Sequence, residues 1–523
     1  MTDCLFGVET EYAIGGGLGQ EGLDRFATVR ELLELAHRSC RNVPDEISSG
    51  MFLENGARFY LDSGNHPEIS TPECSNPWDA VRYVEAGHAF LSRLNEEANR
   101  KAEEKAGVYR VNVNYAGSAA TWGCHESYLH RSNPASLPAD LIPHLVTRIV
   151  YTGAGGFDPF SPGLRFTLSP RASFVENTIS AEAAEERGIF HTKNEPLCSG
   201  YNRLHVTFGE NLCSHCSMFV KVGATSLVLA MAQAGLNPGR DVRLKSPLSA
   251  LRIVSTDTGL SSQVQLEDRS QKSAIEIQRH YLALAEENAG RDFMPHWTAA
   301  VCVEWRRILD LLSEGPQAAA RSIDWCMKWA LYSNYASQCG LDWQSLGECS
   351  DLLASTARHL GASLKPDQPF PFDALFVVVE AEPELKRTVD SELSRLGVSI
   401  DDLKRMFQMR AELLEIDTRF GQLGPEGVFS QLDAAGVLNH RVRGVDNIRH
   451  AIENPPIGSR ASLRGAVIKR IAGDLKGRWN SSWHHIYSPV YGRRLDLSNP
   501  FALDERWHDI EREDPNRVSR EQL

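Results

Sequence analysis

Apolar and polar positions along the chain follow two periods, and the segments they mark alternate from the N-terminus onward. Leu5 to Ile14 is apolar and β-prone apart from its two glutamates, and Phe59–Leu61 and Leu204–Phe208 read as further short strands. After Asn76 and Pro77, the apolar residues Val81, Val84, Leu91, Leu94 and Ala98 recur near one face, which predicts a helix from Trp78 to Ala106 stopped by Gly107. Met218–Ala234 is apolar almost all round and predicts a helix buried in the interior rather than a membrane anchor. No uninterrupted apolar run reaches the roughly eighteen residues that a membrane span requires. Strands and helices are mixed throughout without an internal repeat, so the expected class is α+β. Lys365–Phe372, with three prolines, reads as a surface connection between helical regions. Glycine and proline cluster again at Phe420–Gly427, which suggests a large domain over 1–420 and a small one over 421–523.

With 523 residues the chain is long enough for one large core and a smaller unit. Its 55 basic and 68 acidic side chains leave a formal charge of −13 with no long basic run. Nucleic acid is therefore disfavoured as the main partner, because phosphate contacts need clustered Lys and Arg. Met1–Thr10 lacks the basic and apolar regions of a signal peptide, and the cytoplasm is the expected compartment. The eleven scattered cysteines suit free thiols in a reducing environment.

Candidate chemistry begins at Gly7-Val8-Glu9-Thr10-Glu11-Tyr12, because a strand of period two projects Glu9 and Glu11 from one face. Half-buried, two such carboxylates need a cation, and a hard ion such as magnesium is the usual oxygen-ligand solution. Taken alone, the pair reads better as surface glutamates or partners of arginines. The segment Glu54–Glu68 adds Arg58, Asp62, His66 and Glu68 within a short span, giving metal ligands, an anion clamp and a carboxylate base. Trp122–Tyr128 contributes His125 and Glu126, of which a strand turns only one toward a given face.

Two other motifs point elsewhere. Gly17-Leu18-Gly19-Gln20-Glu21-Gly22 has the spacing of a dinucleotide-binding turn, but a buried parallel strand would not carry Glu9 and Glu11 just before it. Cys213-Ser214-His215-Cys216 looks like half of a zinc site and has no second C-x-x-C to complete it, so structural thiols are the better reading.

The ordered set of motifs resembles the ligases and deamidases of the prokaryotic ubiquitin-like protein Pup, a family related to glutamine synthetase and the carboxylate-amine ligases. The opening G-x-E-x-E-Y is followed by Asn55-Gly56-Ala57-Arg58-Phe59-Tyr60-Leu61-Asp62, then His66-Pro67-Glu68, then Gly123-Cys124-His125-Glu126. Ser169-Pro170-Arg171-Ala172, Tyr201-Asn202-Arg203-Leu204-His205-Val206 and Ser459–Gly465 complete the series. The resemblance implies a glutamine synthetase-like large domain, with a curved, largely antiparallel sheet backed by helices, and a small C-terminal domain. It implies ATP and magnesium, with Glu9, Glu11, Glu68 and His205 at the metal and Asp62 as the catalytic carboxylate. It also implies phosphate contacts from Arg58, Arg460 and Arg464, the last two spaced to share one face of a helix.

The activity implied is conversion of a carboxylate to an acyl phosphate, followed by amide or isopeptide formation with an amine. A small Pup-like modifier would be the acyl donor and a lysine-bearing protein the acceptor. A deamidase or isopeptidase of the same fold, and a kinase-like descendant that makes no amide, are the alternatives. The deamidase branch usually carries a long insertion between the E-x-E and Y-x-D strands, and the short interval from Glu11 to Asp62 favours the ligase side. Where the family usually has K-N-N-T-D, this chain reads Asn112-Val113-Asn114-Tyr115-Ala116, which implies altered contacts to substrate or nucleotide.

Overall fold

The computed structural model describes residues 4–16, 25–62, 64–115, 120–160, 165–181, 187–191, 200–341 and 380–512. The Gly17–Gly22 and Lys365–Phe372 motifs lie outside them. The opening apolar stretch forms the strand Phe6–Glu11, and after Tyr12 a short strand, Ala13–Gly15, that pairs with Gly107–Tyr109. Phe6–Glu11 lies near the middle of a nine-stranded sheet. On one side of it come Cys124–His130, Asn202–Val206, Gly188–His191 and Asn177–Ser180, and on the other Pro67–Ser70, Arg58–Leu61, Met51–Leu53 and Asn42–Pro44. Every neighbouring pair is antiparallel except Asn177–Ser180 with Gly188–His191.

One face of this sheet is apolar and covered by helices. Phe6, Val8, Cys124, Tyr128, Leu204 and Val206 join a core with the helices Pro77–Asn99, Leu137–Thr147 and His215–Gln233. The last is apolar enough to cross a membrane by length and composition, but it is buried on nearly all sides, as its sequence suggested. Its lack of a polar face follows from that position: an interior helix has no side turned to water.

The helix after Asn76 is shorter than expected. Asn76 caps it by accepting from the Asp79 amide, and it ends at Asn99 rather than Ala106. Asn99 stops it by turning its side chain onto the backbone of Ala106, donating to the carbonyl at 2.8 Å and accepting from the amide at 2.9 Å. Gly107 consequently opens a strand instead of closing the helix.

A four-stranded antiparallel sheet, Asn480–Ser481, His485–Ser488, Arg493–Asp496 and Trp507–Asp509, makes a second layer with the helix Arg460–Ile471. Leu463, Val467, Ile468, Ile486, Leu495 and Leu497 form its core together with Val43 and Phe52 of the large sheet. The helices Val428–Ala434 and Ile448–Glu453 belong elsewhere. Phe429 packs on Phe420 and Cys213, and Ala451 joins the main core. These contacts argue for a division near Arg460, whereas the glycines after Phe420 suggested 421; here they turn the chain within one packed unit.

Candidate active site

The polar face of the large sheet collects the sequence's candidates by register. Glu9 lies opposite His125 on one neighbour and Ser70 on the other, and Glu11 lies opposite Glu68. His205 lies opposite Ser127, so it shares this face with Arg203 two residues earlier. His125 therefore belongs to the site and Glu126 does not. Glu126 points into the opposite core, where Arg148 donates to its two oxygens at 2.8 and 2.6 Å and Lys221 lies 3.5 Å away.

Two clusters result. In the first, Glu9, His125 and His205 bring their ligand atoms within 4.8 Å of one another, with His205 Nε2 3.4 Å and His125 Nδ1 3.8 Å from the Glu9 carboxylate. Arg203 donates to Glu9 at 3.1 Å and to the Ser127 hydroxyl at 3.0 Å. Burial pushes the Glu9 carboxyl up, but the two imidazoles and Arg203 outweigh it and hold the group well below its ordinary range. His205 is pushed down to about 4, first by burial and then by Arg203, and so is neutral near pH 7. A neutral imidazole with a free lone pair can serve as a metal ligand.

The second cluster holds Glu11, Asp62 and His66. Asp62 follows the strand Arg58–Leu61, and its carboxylate accepts from the His66 amide at 2.6 Å while lying 3.2 Å from His66 Nδ1. Burial lowers the His66 pKa, but Asp62 and Glu11 overcome it and leave the value raised. Between the clusters stands Glu68, only 4 % exposed, whose pKa is driven well up by burial and by the charges of Glu9 and Glu11. Crowded buried carboxylates of this kind are relieved by proton uptake or by a cation, and the three glutamate side chains supply the oxygen donors that magnesium prefers. The residues present therefore fit a hard divalent ion, although Glu68 stands outside both tight clusters.

Beside Glu9 a cleft opens at the N-terminal end of its strand, lined by Leu5, Phe6, Thr71, Arg203, Arg460 and Trp483 among others. It has an aromatic and aliphatic wall and cationic groups next to the carboxylates. The predicted phosphate ligands divide here. Arg58 lies 3.9 Å above the Tyr60 ring and is bound to Asp45 at 2.5 Å, so an incoming phosphate would share it. Arg460 lines the cleft, donating to Glu73 at 2.5 Å. Arg464 does not reach the cleft: it is wholly buried, donating to both oxygens of Glu73 at 3.0 and 2.8 Å and to Gly56 O at 2.9 Å. One helix carries both arginines, but Glu73 and the sheet edge cover the second.

Sequence reading passed over Arg203, Glu73 and Trp483, and saw His66 only as part of a motif. Arg203 was within reach, since it shares a strand face with His205. Glu73 and Trp483 carry no local signal and are identified only by what they face.

A sheet with buried carboxylates and imidazoles on one face, an oriented Asp–His pair and an aromatic cleft with cations defines a site suited to metal-assisted phosphoryl transfer. A family model described as Pup-ligase protein matches residues 4–352 and 391–487, and the chain belongs to that family. A Pup--protein ligase of Sanguibacter keddieii is 28% identical over 526 residues, spanning 97% of this chain and 98% of the relative. That of Xylanimonas cellulosilytica is 28% identical over 529 residues, with the same coverage of 97% and 98%. Among solved structures, the complex of Pup with its ligase PafA superposes with a TM-score of 0.69 at 24% identity, covering 96% of this chain and 90% of that one. PafA in complex with ADP gives 0.64 at 24% identity, covering 94% of each chain. These two establish the likeness of fold.

Proposed function

We propose that this protein is an ATP-dependent ligase that activates a carboxylate of a Pup-like modifier and joins it to a lysine amine of an acceptor protein, in the cytoplasm. The reading is carried by one observation: the oriented Asp62–His66 pair shares a cluster with Glu11 on the sheet face that also carries Glu68 and Glu9, and Glu9 lines the adjoining cleft. Magnesium, when bound, neutralises phosphate oxygens, and Glu9, Glu11 and Glu68 with His205 would hold it. Trp483 supplies apolar surface for the base, while Arg58, Arg203 and Arg460 provide positive charge for the phosphates. Arg464 acts through Glu73, fixing the carboxylate that in turn orients Arg460.

The donor carboxylate is already ionised and needs no base to attack the γ-phosphate. The lysine amine needs one, because it arrives largely protonated at neutral pH. Asp62, aligned by the His66 amide, takes that proton as nitrogen attacks the acyl phosphate and phosphate leaves. Asp62→Asn therefore keeps nucleotide binding but loses about a hundredfold to ten-thousandfold in amide formation. The assay follows ADP release and product mass for both proteins with ATP, magnesium, Pup and an acceptor. Full product from the variant would remove Asp62 as the base, and ADP release without amide from either protein would replace the ligase reading with a kinase one.

A further inference from the structure

Of the four carboxylates on the polar face, Glu68 alone is placed without a cation or a backbone amide. Glu9 faces Arg203 and two imidazoles, Asp62 faces His66, and Glu11 accepts from the Gly123 amide at 2.6 Å with His125 Nε2 3.8 Å away. Among the described residues no arginine, lysine or histidine pairs with Glu68, although its side chain is buried. A buried carboxylate keeps its place where donors meet it, so its holder is a neutral group.

The strand register supplies one. Tyr60 lies directly opposite Glu68, which lies opposite Glu11, and Arg58 lies opposite Ser70, which lies opposite Glu9. Residues paired across antiparallel strands share a face, so Tyr60 stands on the polar side of the sheet beside the carboxylates. Its hydroxyl accepts from Ser70 Oγ at 3.3 Å and makes a further hydrogen bond with the Glu68 carboxylate. A phenol ordinarily keeps its proton to about pH 10 and an ionised carboxylate can only accept, so Tyr60 is the donor.

The ring is fixed from its face. The Arg58 guanidinium lies 3.9 Å from the ring centroid, and Asp45 Oδ2 accepts from Arg58 Nε at 3.0 Å. A cation over an aromatic face is drawn by the ring quadrupole, so Asp45, Arg58 and Tyr60 form a stack that aims the hydroxyl at Glu68. Packing does not account for the residue. Phe59, next to it, joins an apolar core, whereas Tyr60 belongs to no hydrophobic cluster among the described residues. A neutral donor has a specific use here: an arginine would fix Glu68 as firmly but would repel a divalent ion, while a hydroxyl leaves the carboxylate's charge to that ion.

We propose that Tyr60 is a positioning residue that holds Glu68 as a charged ligand for the divalent ion, acting on phosphoryl transfer only through that carboxylate. The inference rests on the ligand set of the ligase reading.

The test measures magnesium binding by calorimetry with ADP present, in wild type, Tyr60→Phe, Glu68→Ala and the double variant. Tyr60→Phe keeps the ring under Arg58 and removes the donor, and it should weaken magnesium binding by about tenfold to a hundredfold, the usual effect of deleting a group that orients a metal ligand. In the Glu68→Ala background the same substitution should weaken it no further, because a group acting through Glu68 has nothing left to act on. A tyrosine that is merely structural would lower both backgrounds alike, so equal losses overturn the proposal, as does unchanged affinity in Tyr60→Phe. If Tyr60→Phe does not fold, Tyr60→Leu enters the same cycle under the same criteria. Glu68→Ala that binds magnesium as tightly as wild type would overturn the ligand set and this inference with it, whereas weakened binding in Glu68→Ala together with equal losses from Tyr60→Phe would overturn this inference alone.

Discussion

Glu73 ties the large sheet to the Arg460–Ile471 helix through a carboxylate shared by two arginines. It follows the strand Pro67–Ser70, and it accepts from Arg460 at 2.5 Å and from both nitrogens of the Arg464 fork at 2.8 and 3.0 Å. Burial raises its pKa, but the two arginines overcome this and hold it at about 2, against an ordinary 4.5. That interval corresponds to about 3 kcal/mol of stability. A depressed carboxylate contributes fully above the unfolded value and loses its contribution as pH falls toward the folded one, so the effect lies between about pH 5 and pH 2, with roughly 1 kcal/mol already lost at pH 3.5. Glu73→Gln removes the charge at every pH and leaves two buried cations short of an anion, a change that typically costs about 3 to 5 kcal/mol. The loss should be local. Amide hydrogen exchange in the Arg460–Ile471 helix reports it directly, because that helix carries both arginines. At pH 7 the variant's protection in that helix should fall by about the stated amount, while the Leu137–Thr147 helix behind the large sheet changes little. At pH 3.5 the gap between the two proteins should narrow by about 1 kcal/mol. A gap below about 1 kcal/mol at pH 7, or one that is the same at both pH values, would refute this account of how the two units are held.

Arg464→Lys retains the charge but cannot serve both oxygens of Glu73 and Gly56 O, so it should destabilise the protein by about 1 to 3 kcal/mol while the folded fraction keeps most of its turnover at saturating ATP; turnover lost without loss of stability would return Arg464 to the phosphates. Glu9→Gln takes one ligand charge from a divalent ion at constant shape and should weaken magnesium-dependent ATP binding by about tenfold or more. Calorimetry with and without magnesium measures it, and unchanged affinity would remove Glu9 from the ligand set. Glu126→Gln leaves Arg148 and Lys221 without their buried counter-ion and should cost about 3 to 5 kcal/mol in urea unfolding, with the magnesium dependence of the remaining folded protein unaltered. A cost under about 1 kcal/mol would mean that Thr225 and the backbone carbonyls suffice to hold the two cations.

Local sequence determined much of this protein because local rules are short-ranged. Period two in Phe6–Glu11 puts Glu9 and Glu11 on one face whatever they meet there, and an apolar helix such as His215–Gln233 has no face to turn to water. The motif series carries the family because its spacing survives in a single chain. Local pattern does not extend to partners across the fold. It left open whether His125 or Glu126 faces the site, and the strand register opposite Glu9 decided it. The resemblance implied a phosphate contact for Arg464, and its helical spacing from Arg460 agreed, whereas Glu73, nearly four hundred residues earlier, claims it first. Arg171 read as one residue of a motif; its place near the Gly123–Glu11 contact exists only once strands far apart in the chain lie side by side. Sheet neighbours and buried ion pairs are chosen by the packing of distant segments, and a buried charge takes whichever counter-charge that packing delivers.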